Sequence, residues 1–263
     1  MSRNFELLQN LGREREMFEA SVSEAHTDTS VVEPELRVAP APVPVEPHPL
    51  QLQMDESQRD QMFKLVQRVF LVPGAAKGRL VVVAGMEAGN GCSWICSRMA
   101  EVLASQVSGS VCVVDANLRS PGLHREFEVQ NHYGLTDALQ VNEPIRRFVT
   151  SLSRPNLWLL SCGAETESMQ NMLSSDRMRA LLPELQREFD YVLIDAPPIE
   201  SGDESVMLGR SAEGVILVLR ANSSRRETAR KAVQNLEGAN VKVLGAVLNR
   251  RTFPVPESIY RKL

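Results

Sequence analysis

The sequence predicts an α/β fold, a mostly parallel sheet with helices on both faces and a flexible tail in front. Three observations carry this. Short apolar runs recur through residues 56–251, stretches with helical spacing of apolar residues separate them, and the runs are apolar at nearly every position rather than alternating. Uninterrupted apolar runs are the pattern of strands covered from both sides, and their alternation with helices is that of parallel crossover units.

Each element has its own justification. Met62, Leu65, Val66 and Val69 lie on one face of a helix. Leu80-Val81-Val82-Val83 reads as a buried strand that runs into Gly85, Gly89 and Gly91. A helix follows with Ile95, Met99, Val102 and Leu103 on one side. Further strands are expected at 111–114 (VCVV), 157–160 (LWLL), 191–194 (YVLI), 214–219 (GVILVL) and 241–248 (VKVLGAVL), with helices near 173–188, 203–210 and 224–236.

Ahead of this domain, residues 34–49 hold six of the fifteen prolines, a composition that favours extended polyproline II geometry. Residues 29–55 are therefore expected to be a linker. In residues 1–28, Phe5, Leu7, Leu8, Leu11 and Phe18 recur at near-helical spacing, which fits a short amphipathic helix and equally a disordered tail. Residues 252–263 are expected to form a C-terminal tail.

Composition excludes several classes. The 263 residues carry 29 Lys and Arg against 33 Asp and Glu, a net charge of −4 that argues against nucleic acid as a partner. No apolar run approaches the ~18 residues of a membrane helix, and the charged start MSRNFELLQNLGRERE lacks a secretory core, so a cytoplasmic chain is expected. Cys92, Cys96, Cys112 and Cys162 form no CxxC pair and read as free thiols. His26, His48, His124 and His132 lack metal spacing and read as solvated loop residues.

Parallel sheets bind ligands beyond the carboxyl ends of their strands. The residues there are GMEAGNGCS at 85–93, DANLR at 115–119, DAPP at 195–198 and Asn249-Arg250. Glycines before a helix let backbone N–H groups wrap a phosphate, and aspartates at neighbouring strand ends hold Mg²⁺ through water. The expected nucleotide-binding residues are Gly85, Gly89, Asn90, Gly91, Cys92, Ser93 and Asn249. Ser93, Asp115 and Asp195 are the magnesium candidates, and the two aspartates are also the catalytic candidates.

These motifs resemble the cytoplasmic domain of bacterial tyrosine kinases (BY-kinases of the CpsD/CapB type), within the MinD/ParA group of P-loop ATPases. Besides the loop, VCVVDANLRSPGLHREF at 111–127, GLTDAL at 134–139, YVLIDAPP at 191–198 and VLGAVLNR at 243–250 carry the resemblance. It implies ATP and Mg²⁺ as ligands, Asp195 on the Walker B strand, Asn249 facing the base, and a role in exopolysaccharide biosynthesis. The implied partners are a membrane polysaccharide co-polymerase or export component and further copies of the chain, with the protein peripheral at the inner membrane through that partner.

Three departures bear on activity. Gly91-Cys92-Ser93 stands where the family has Gly-Lys-Ser/Thr, so the phosphate-binding ammonium is missing. Glu87 occupies a place where MinD/ParA proteins often carry a second lysine, and Asn117 replaces an aspartate of the kinases. A thiol whose pKa the helix N-terminus lowered would repel nucleotide as a thiolate. Of the tyrosines 133, 191 and 260, only Tyr260 stands in the tail as a phospho-acceptor candidate. These residues predict a catalytically impaired regulatory or assembly protein. The alternatives are an active ATP-dependent tyrosine autokinase that borrows a cation from elsewhere, Lys77 being poorly placed for it, and an interaction module without nucleotide.

Overall fold

The computed structural model describes residues 53–71, 79–164 and 172–251. The sequence expectations for residues 1–28, most of the linker, Lys77 and Tyr260 lie outside these residues. Helix α1 (Glu56–Phe70) opens with a capping box in which Asp55 and Gln58 satisfy each other's backbone N–H groups. Strand β1 (Arg79–Gly85) leads through the glycine loop to α2 (Cys92–Gln106). Then come β2 (Val111–Asp115), two short helices α3 (Leu123–Glu126) and α4 (Leu135–Gln140), and strands β3 (Thr150–Ser151) and β4 (Leu157–Leu160). The order closes with α5 (Asp176–Glu188), β5 (Tyr191–Ala196), α6 (Glu204–Arg210), β6 (Gly214–Arg220), α7 (Arg226–Gly238) and β7 (Val243–Asn249).

Among the described residues seven strands run in the order β3-β4-β2-β5-β1-β6-β7, all parallel except the two-residue edge strand β3. Alternate residues of each central strand feed two cores. Val81, Val83, Val113, Leu193 and Ile216 pack under α1, α2 and α3. Leu80, Val82, Val114, Ile194 and Leu217 pack under α4, α5, α6 and α7. At roughly 1.5 to 3 kcal/mol for each large apolar side chain removed from water, these two layers are the main stabilisation that fixes the strand ends in place.

The expectation that every strand is covered on both faces fails at β7. Its residues are half-buried or exposed, and Leu248 is 54% exposed. The physical reason is position: among the described residues β7 is the sheet edge, and there it pairs only with β6. The short strand β3 and helices α3 and α4 escape sequence reading because none is long enough to show a period. His124 belongs to α3 rather than to a solvated loop, and burial lowers its pKa.

Candidate functional site: a glycine loop and two strand-end aspartates

Sheet geometry brings the predicted residues to one rim. Gly85 ends β1, Asp115 ends β2, Asp195 is the penultimate residue of β5, and Asn249 ends β7. An open cleft of about 1370 Å³ at this rim is lined by residues 85 and 87–95, Asn117, Asn249 and the outer face of α1. The two aspartates lie beneath it with no solvent exposure.

The loop's path follows from its glycines. Gly89 and Gly91 have φ of +77° and +84°, a left-handed conformation that side-chain-bearing residues rarely adopt. Gly91 also has no room for a Cβ, which would collide with Asn249 Nδ2. Three anchors hold the loop. Met86 N–H donates to Val218 O at 3.1 Å, Asn90 Nδ2 donates to the same carbonyl at 3.1 Å, and Asn249 Nδ2 donates to Asn90 O at 2.9 Å. Asn90 and Asn249 are thus placed as loop supports by contacts that span more than 100 residues of sequence. Unlike α1, helix α2 begins without a side-chain cap, so its first-turn N–H groups face the cleft rim with no acceptor of their own helix. That is the arrangement an anion takes up.

Cys92 does not point at such an anion. Its Sγ donates to Val83 O at 3.2 Å, back toward the sheet. Its pKa is pushed well above the ordinary thiol value, first by burial and then by the negative charge of Asp195. Desolvation thus works against the lowered pKa that a helix N-terminus would give the thiol. Cys96, one turn on, is raised for the same reasons, while Cys112 is pushed up by burial alone. Cys92, Cys96 and Cys112 are in no disulfide.

Asp115 and Asp195 are inequivalent. Asp115 Oδ1 accepts from Asn117 N at 3.3 Å, and Oδ2 accepts from Gly122 N at 3.0 Å and Leu123 N at 2.9 Å. It thereby closes the 117–123 loop onto β2. Both oxygens of Asp195 are buried with no hydrogen bond of good geometry among the described residues, although Cys92 and Ser93 lie near enough to favour its ionised form. Burial raises Asp195 to about 6, and burial followed by the charge of Asp195 raises Asp115 to about 7. Ser93 is held close under the second loop, since a Cβ on Gly122 would lie 2.5 Å from its Oγ. A buried carboxylate without partners beside a serine hydroxyl fits a magnesium ion carried through water, whereas Asp115 has its oxygens engaged. No group of three or more His, Cys, Asp or Glu side chains placed to hold a metal ion occurs among the described residues.

Sequence reasoning missed the cleft's charged frame. Arg119 donates to Glu204 Oε1 at 2.6 Å and to Ser201 O at 3.1 Å, tying the loop after β2 to the loop after β5. Lys64, Arg68, Arg125 and Arg250 also line the cleft. Lys64 and Arg68 share a face of α1 by their i,i+4 spacing, a signal visible in the sequence once α1 is known to border the cleft. Glu200, after the DAPP segment, reaches the loop itself, and nothing in its local sequence announces this.

Residues 77–261 match the ParA family model, described as NUBPL iron-transfer P-loop NTPase. The chain is 31% identical over 169 residues to tyrosine-protein kinase YwqD of Bacillus subtilis (strain 168), which covers 64% of this chain and 71% of that one. It is 27% identical over 173 residues to tyrosine-protein kinase etk of Escherichia coli (strain K12), covering 66% of this chain but only 24% of that longer protein. Among solved structures, the kinase domain of Escherichia coli tyrosine kinase ETK superposes with a TM-score of 0.68 at 24% identity, over 76% of this chain and 79% of that one. At this identity the superposition speaks for the fold.

Proposed function

Since the chain belongs to the ParA family of P-loop NTPases and, within it, to the bacterial tyrosine kinases, we propose that it is a regulatory or assembly component of exopolysaccharide biosynthesis or export. In this reading it holds ATP but transfers the γ-phosphate slowly. The observation that carries the reading is the Cys92 thiol turned back onto Val83 O, a neutral group directed away from the place where a lysine would meet the β- and γ-phosphates.

The remaining residues supply binding. Loop N–H groups between Gly85 and Ser93 donate to the phosphate oxygens, Asn249 stands at the base side, and Asp195 with Ser93 holds Mg²⁺ through water. The magnesium supplies charge neutralisation of the triphosphate. The protein docks on a membrane co-polymerase or export component and is thereby peripheral at the inner membrane. No described helix is long and apolar enough to cross it.

The second reading, an active autokinase, is favoured by Lys64, Arg68, Arg125 and Arg250 around the cleft, any of which would substitute for the missing cation if it swung inward. Labelling with γ-phosphate-tagged ATP separates the two: the natural chain should label far less than Cys92→Lys, and equal labelling on tyrosine would establish the autokinase. Thermal shift with Mg·ATP tests binding itself, since a ligand at 100 times its dissociation constant adds about 2.7 kcal/mol of stability and an unused cleft adds none.

A further inference from the structure

The phosphate loop is already engaged by an anion from its own chain. Ala88 N–H donates to Glu200 Oε1 at 3.2 Å, while Glu200 N–H donates to Met86 O at 3.2 Å. The two contacts bracket Glu87, so residue 200 grips the loop with both backbone and side chain. Glu200 belongs to the 3₁₀ turn Ile199–Ser201, four residues after the end of β5. The strand that carries Asp195 therefore also delivers a second carboxylate to the loop. The backbone contact alone would fix the turn against the loop, whatever side chain stood at 200. The carboxylate adds negative charge at a backbone donor of the loop that lines the cleft.

Glu200 is solvent-exposed and makes no ion pair among the described residues. Residues 85–93 contain no Lys or Arg, Glu87 adds a further carboxylate, and Arg119 is paired with Glu204 rather than Glu200. We infer that Glu200 is a built-in competitor for the nucleotide: its carboxylate occupies the Ala88 N–H of the phosphate loop and must be displaced before a triphosphate seats fully. This rests on the nucleotide-binding reading above and names a regulation of that same site. Whatever withdraws the 199–201 turn from the loop, a docked partner included, then raises nucleotide affinity without adding any contact to the nucleotide.

The test uses the full chain, Glu200→Ala, Glu200→Gln and Cys92→Lys, titrated calorimetrically with Mg·ATP. Glu200→Ala, which removes charge and acceptor together, should bind about three- to tenfold tighter than the natural chain. Glu200→Gln, which keeps an acceptor oxygen but not the charge, should fall between the two. Without nucleotide, hydrogen exchange at the Ala88 amide should speed up in Glu200→Ala. Unchanged or weaker binding in both Glu200 variants, with the natural chain binding normally, overturns the inference alone. If no protein binds Mg·ATP, Cys92→Lys included, the nucleotide reading fails and takes the inference with it.

Discussion

Asp115 and Asp195 stand opposite one another in the parallel β2–β5 pair, and both are fully buried. Ala116 N–H donates to Asp195 O at 2.9 Å, so the backbone itself locks the two side chains at the same level of the sheet. Two carboxyls in that position compete for one negative charge unless a cation joins them. The loop above them, with Cys92 where a lysine would stand, supplies none.

The pair makes stability depend on pH in a particular sense. Unfolded, both carboxyls titrate near 4; folded, they titrate at about 7 and about 6. Between those values the folded chain binds more protons than the unfolded one, so this contribution is fully present below about pH 4 and is lost as pH rises through about 7. In magnesium-free buffer the urea midpoint should fall from about pH 5 to about pH 8, and magnesium added at the upper pH should restore it. Asp195→Asn should flatten the profile and stabilise the magnesium-free protein at about pH 8 by about 1 to 3 kcal/mol. A midpoint that rises over this range would contradict the assignment.

Restoring the cation should act on binding and on this pH profile together. An ammonium from Cys92→Lys contributes a charge-assisted hydrogen bond to phosphate of about 1.5 to 3 kcal/mol, or about ten- to a hundredfold in Mg·ATP affinity. Beside Asp195 it should also lower the pKa of both aspartates and remove most of the loss in urea midpoint at high pH. Fluorescent-nucleotide titration and urea unfolding read the two effects separately. A gain in affinity with an unaltered pH profile would mean that the lysine points away from the aspartates.

Much of this site was legible in the sequence because strand ends are. An apolar run followed by Asp115, another followed by Asp195 and a third followed by Gly85 place three residues on one rim as soon as the strands are taken as parallel. The left-handed glycines were legible as a loop, though not as a loop held by Asn249, since that contact joins residues 90 and 249. The grip of Glu200 on Ala88 joins residues 112 apart and depends on a three-residue turn with no periodicity to read. The inward turn of Cys92 depends on burial against Val83 and Asp195, which composition does not reveal. The exposure of β7 depends on which strand ends the sheet, and strand order is not written in any one strand.

The contact between Gly91 and Asn249 gives a double-mutant cycle. Gly91→Ala must place a Cβ at φ +84° and into the Asn249 amide, so it should cost about 2 to 4 kcal/mol, the left-handed backbone accounting for about 1 to 2 of it. Asn249→Ala alone loses the hydrogen bond to Asn90 O, about 1 kcal/mol. Because the second change removes the atom that the first collides with, the double variant should be more stable than additivity predicts by about 1 kcal/mol. Strict additivity in urea unfolding would show that the strain is in the backbone alone.

The far end of α2 tests whether the loop and the scaffold are separable. Asn156 Nδ2 donates to Ala104 O at 3.0 Å, Val107 O at 3.0 Å and Gly109 O at 3.1 Å, closing the helix where its last carbonyls have no partner of their own. Its backbone carbonyl accepts from Val111 N at 2.8 Å, which ties the same turn to β2. Asn156→Ala leaves those carbonyls to a half-buried turn and should cost about 1 to 3 kcal/mol in urea unfolding, with the slope against denaturant unchanged. The helix has 15 residues, which separates this end from Cys92 by roughly 20 Å. Mg·ATP affinity at low temperature should therefore stay within about twofold of the natural chain. A larger loss in affinity would mean that α2 transmits strain along its length, and that its first turn is set by its last as well as by Gly91.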